Sequence, residues 1–183
     1  MPGDSFYDAG VLRQFATNLF YGWGYNFYRK ENQLRADDQL IRTKAASLLG
    51  EAAAAVSSAE AAYRREFLPP PTRAKPFPDP EALSTAQRLE RLAADIRALE
   101  ASFQYQPVPA NDRMTQRYRQ EAPTLEKLIQ LDERLVGQCE MLRRSVDGQD
   151  AAAIIQHFLD LQTGMGAIRT TLHDRESVLL SWS

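Results

Sequence analysis

The sequence predicts an all-α fold: an antiparallel four-helix bundle with one long N-terminal helix, straight or kinked, and a short fifth helix near residue 115. Three observations carry this reading. No proline interrupts residues 10–66, and apolar residues recur at helical steps in four long segments. No segment shows the two-residue alternation with β-branched enrichment that marks a strand.

Residues 36–66 are rich in alanine, leucine, arginine and glutamate, which are strong helix formers. At 100° per residue, Ala16, Phe20, Trp23, Phe27, Leu34 and Ile41 fall on one side. Ala45, Leu48, Ala52, Val56, Ala59, Tyr63 and Phe67 keep the same phase downstream. A phase preserved across Gly22 and Gly24 argues for one helix, which would reach about 85 Å if continuous from residue 8 to 66.

That helix ends at "LPPPTRAKPFPDP", where six prolines between Pro69 and Pro80 remove donors and fix backbone angles. The chain is expected to cross the surface in extended form. The plain reading is a linker between helices, and the sharper one is a proline-rich ligand for another domain.

Asp79, Pro80 and Glu81 supply a cap, a first-turn proline and an acid near the positive end of a second helix. Its core face is Leu83, Leu89, Leu92, Ile96, Leu99 and Phe103, and Pro107 and Pro109 stop it. Residues 113–121 are expected to form the short extra helix, and Pro123 suits the first turn of the next. There Leu125, Leu128, Ile129, Leu135, Val136, Cys139, Leu142 and Val146 form an apolar face. "DGQD" at 147–150 is a tight turn with Asp150 as a cap. A last helix running nearly to the end places Ile154, Ile155, Phe158, Leu161, Met165, Ile168, Leu172 and Leu179 inward. Residues 1–183 are read as a single helical domain with a proline-rich crossing at 69–80.

The totals narrow the function. A formal net charge of -2 gives no basic excess to attract nucleic acid or an anionic membrane. No apolar run approaches the roughly 20 residues of a transmembrane helix, and the N-terminal stretch lacks the basic and apolar regions of a signal peptide. One cysteine, Cys139, excludes an intramolecular disulfide and fits a reducing compartment, so a cytoplasmic location is expected. His157 and His173, sixteen positions apart on one helix, point about 160° apart and cannot share a metal. No paired Glu and Glu-x-x-His set for a carboxylate-bound metal is present. Neither a cofactor nor a catalytic set is expected.

The distinctive stretch is "NLFYGWGYNFYRKENQLR" at 18–35. Within a continuous helix, Tyr21, Tyr25, Tyr28, Asn32, Arg35 and Gln39 form a stripe away from the phenylalanines and tryptophan. Tyrosine offers apolar area with a hydroxyl, and arginine stacks or makes paired hydrogen bonds, as in partly wet contact surfaces. The same stripe could instead pack inside the protein with its hydroxyls satisfied. The functional expectation is a non-enzymatic helical adaptor, scaffold or assembly subunit that docks a protein partner or a second copy through this stripe. The alternative is a ligand-binding or enzymatic bundle with a pocket beside it, where Tyr25, Tyr28, Asn32 and Arg35 hold a planar or anionic small molecule. No general base lies there, so the reading leans away from catalysis.

Overall fold

A computed structural model describes residues 2–25, 27, 34–73, 76–106 and 122–180. A 3-10 turn, Pro2–Tyr7, leads into α1 (Ala9–Trp23), α2 (Leu34–Phe67), α3 (Pro80–Ser102), α4 (Ala122–Val146), α5 (Ala151–Gln156) and α6 (Phe158–Leu180). Among the described residues there is no strand, and the six helices pack as an all-α bundle.

The starts of the helices follow from local chemistry. Asp8 caps α1, its Oδ1 accepting from the amides of Gly10 at 2.9 Å and Val11 at 3.2 Å. Asp79 caps α3 through the Glu81 amide, with Pro80 at the first position, and Asp150 caps α5 through the Ala153 amide. The caps at Asp79 and Asp150 are those the sequence indicates.

The long first helix divides in two. Gly24 takes φ 72°, a left-handed conformation open to glycine at little cost, and its amide turns back to the Phe20 carbonyl. The Tyr25 amide also reaches that carbonyl, at 3.2 Å, and α1 ends. Apolar phase was preserved across the break because both helices bury that side against one core, which periodicity cannot distinguish from continuity. The last helix is likewise divided at His157, between α5 and α6. The expected fifth helix near residue 115 lies outside the described residues.

Helix α4 is the centre, packing against α1, α2 and α6, while α2 also packs along α3. The α2–α3 pair is antiparallel: Arg64 meets Glu90, Ser57 meets Arg97, and Arg42 reaches the Gln106 carbonyl. The buried cluster joins Phe20 of α1, Ile41 to Val56 of α2, Leu89 to Leu99 of α3, Leu135 to Val146 of α4 and Leu161 to Leu179 of α6. Two close approaches depend on glycine. A Cβ at Gly137 would stand 2.4 Å from the Leu12 carbonyl oxygen, and one at Gly164 would stand 2.5 Å from the Phe6 ring. They set how near α1 and the N-terminal turn come to α4 and α6.

Among the described residues, no helix is long and apolar enough to cross a membrane.

Candidate functional site at the junction of α1 and α2

The end of α1 builds an aromatic knot. Phe20 and Tyr25 lie 4.4 Å apart between ring centroids, and Phe27 meets Tyr25 edge-on at 4.7 Å. Trp23 stands 6.3 Å from Phe20, with the Lys44 ammonium 5.7 Å from its ring. Phe27 carries φ 53°, a costly conformation for a phenylalanine, held within this knot. Phe20 and Trp23 face the core as the helical phase predicts, and Phe27, beyond the end of α1, also packs against it.

Tyr25 departs from the expected wet stripe. It is buried, and its hydroxyl donates to Asp132 Oδ2 at 2.8 Å. The physical reason is Gly24: once the helix ends there, Tyr25 no longer continues the outward direction of Tyr21 and turns inward. Tyr21 remains 94% exposed, and Gln39 is exposed on α2. Tyr28, Asn32 and the Arg35 side chain lie outside the described residues. Tyr21 and Tyr25 therefore do not share one face.

Below Tyr25 runs a buried ionic chain that periodicity did not reveal. Arg175 Nε donates to Asp132 Oδ1 at 2.7 Å, and its Nη1 lies 2.8 Å from Asp38 Oδ1. Arg42 continues the chain, with Nη2 2.6 Å from Asp38 Oδ2 and Nη1 donating to the Gln106 carbonyl at 3.3 Å. Asp38, Asp132 and Arg175 are almost wholly buried, and Asp37 is buried beside them. Ion pairing offsets the cost of taking these charges out of water. The signal that could have found the chain was a charge interrupting an apolar helix face, as Asp132 does between Leu131 and Leu135.

Another buried carboxylate, Glu140, receives Arg143 at 2.8 and 2.9 Å and Arg144 at 2.5 Å. Arg144 also lies 4.6 Å over the Phe15 ring, tying α4 to α1. Burial pushes the Glu140 carboxyl up, but its hydrogen bonds and charge pairing with Arg143 and Arg144 outweigh that and hold it below the usual carboxylate range. Cys139 is fully buried, and burial first, then Glu140, pushes its thiol above the ordinary range. It is protonated at neutral pH and shielded from reagents.

Chemically, the junction can orient and lock helices. Among the described residues, no group of three or more His, Cys, Asp or Glu side chains is arranged to hold a metal ion. The fold and this chain of charges define a helical bundle with a buried ionic lock. Comparison with protein-family models, curated proteins and solved structures finds no match.

Proposed function

We propose that the protein is a non-enzymatic adaptor or assembly subunit that docks a protein partner or a second copy through the surface around Tyr21. The observation that carries this reading is the 94% exposure of Tyr21 on an uncharged helix face. Val11, Gln14, Thr17 and Asn18 are also exposed on α1, whose only charged residue, Arg13, pairs with Glu133 at 3.3 Å. Depletion of charge with exposed tyrosine is the composition of an interface centre. Gly22 adds support, because among the described residues a Cβ there would meet nothing within 4 Å, so packing against them does not account for a glycine in the last turn of α1. Of the other residues of the expected stripe, Gln39 is exposed on α2 and Tyr25 is buried.

The test pairs stability with association. Tyr21→Ala is expected to change stability by less than about 0.5 kcal/mol while reducing copurification of a partner or self-association. Unchanged association would remove the reading.

A second reading rests on a cavity of about 600 Å³ between α2 and α3, lined by Gln39, Arg42, Thr43, Ser47, Glu100 and Gln104 among others. Arg42 is already engaged by Asp38 and the Gln106 carbonyl, and Glu100 repels anions. The chemistry therefore favours a neutral polar ligand over the anionic one expected from the sequence. Saturable ligand binding abolished by Gln39→Leu would favour it over docking.

A further inference from the structure

At the other end of α2, about 42 Å from Gln39 by helical rise, a groove and an exposed segment complement each other. The groove encloses about 710 Å³ between α2 and the turn preceding α5. Its wall holds Tyr63 and Phe67, with ring centroids 4.6 Å apart, and Ala62 leaves room beside them. Three carboxylates, Glu66, Asp147 and Asp150, line it, with no lysine or arginine among the lining residues. Asp147 is paired with Arg143 at 3.2 Å and Asp150 caps α5, so the exposed Glu66 is the carboxylate placed to receive an incoming cation. Paired aromatic rings with an acidic rim are the chemistry that reads a basic proline-rich segment, whose fixed backbone loses little entropy on binding.

The chain carries such a segment next to the groove. Residues 68–79 join two antiparallel helices that pack directly, where about 2 to 8 residues are usual. Among the connector's described residues, none is buried. Pro69, Pro70, Pro71 and Arg73 are exposed, as is Phe77 at 84%. None of these residues lines the groove of its own chain.

We propose that the groove binds the Pro69–Arg73 segment of a second copy, with the prolines against Tyr63 and Phe67 and Arg73 against Glu66. The connector starts at Leu68, one residue past the groove wall, so Pro71 lies within about 12 Å of Phe67 along an extended chain. Because both elements occupy one end of the molecule, a two-fold axis beyond that end sets each connector against the other copy's groove and closes the assembly. The inference rests on the assembly reading but names the partner and places this contact apart from Tyr21.

The test uses a fluorescein-labelled peptide of residues 68–79 and the full chain. Saturable binding is expected, at least about tenfold weaker for the Arg73→Glu peptide; no saturable binding overturns the proposal. In sedimentation velocity the full chain should form a concentration-dependent dimer, weakened by Arg73→Glu or Glu66→Arg and restored when both substitutions are combined. A chain monomeric at every concentration overturns the second copy as occupant. A dimer lost with Tyr21→Ala but indifferent to Arg73→Glu assigns association to α1 and overturns this contact while sparing the assembly reading.

Discussion

Tyr25 and Asp132, separated by 107 positions, are joined by a buried hydrogen bond of 2.8 Å from the phenol to the carboxylate. The bond fixes the end of α1 to the central helix and fills one side of a carboxylate whose other oxygen receives Arg175. Tyr25→Phe should therefore cost about 1.5 to 3 kcal/mol in urea unfolding, the range for a hydrogen bond to a charged group. Tyr25→Ala, which also leaves a cavity, should cost about 3 to 5 kcal/mol. A neutral Tyr25→Phe would show that the bond contributes nothing to stability.

Arg175 is the cation on which Asp38 and Asp132 converge. Arg175→Met is expected to cost about 3 to 5 kcal/mol, because it removes a buried cation from Asp132 and leaves Asp38 to Arg42. Adding Asp132→Asn to that variant should recover part of the loss. The check is a double-mutant cycle by chemical denaturation, and simple additivity would mean the two groups act independently.

Glycine-to-alanine substitution should have opposite signs at two helical sites. Among the described residues nothing stands within 4 Å of a Cβ at Gly22, so alanine there should stabilise by up to about 1 kcal/mol through helix propensity. Gly137 faces the Leu12 backbone, so alanine must push α1 away and should destabilise by about 1 to 3 kcal/mol. Thermal melts of the two variants decide the matter.

Acid should weaken the fold through Glu140. Its carboxyl is held below the usual range in the folded protein, so the folded state binds its proton less readily than the unfolded chain. That contribution is fully present above the unfolded value of about 4.3 and is lost as pH falls through the folded one. Glu140→Gln should lower the melting temperature at pH 7 and reduce its decline below about pH 4.5. A variant whose melting temperature declines as steeply as the parent's would assign acid sensitivity to other carboxylates.

What the sequence made legible was one-dimensional. Leu89, Leu92, Ile96 and Leu99, or Leu135, Cys139 and Leu142, repeat within single helices, and each is buried as its spacing requires. The Asp8 cap was less legible than those at Asp79 and Asp150, because no proline follows it and no Asp-Gly pair precedes it in the sequence. The inward turn of Tyr25 was hidden because one left-handed residue redirects every later side chain while leaving the apolar rhythm intact. Gly137 and the chain from Tyr25 to Arg42 were illegible for another reason. Their partners lie on other helices, and no spacing within one segment encodes which helix will arrive opposite.

The buried ionic lock also orders events in time. Helices α2 and α3 can pair as soon as their connector allows, through contacts close along the chain. Tyr25 and Asp132 are 107 positions apart, and Arg175 lies a further 43 beyond Asp132. A ribosome thus releases Tyr25, Asp38 and Asp132 before the guanidinium that neutralises two of them exists. Until it is made, those carboxylates favour water over the interior. The buried charge pairing at the α1–α2 junction therefore cannot be completed until α6 is synthesised, and closing the lock carries large loop-closure demands.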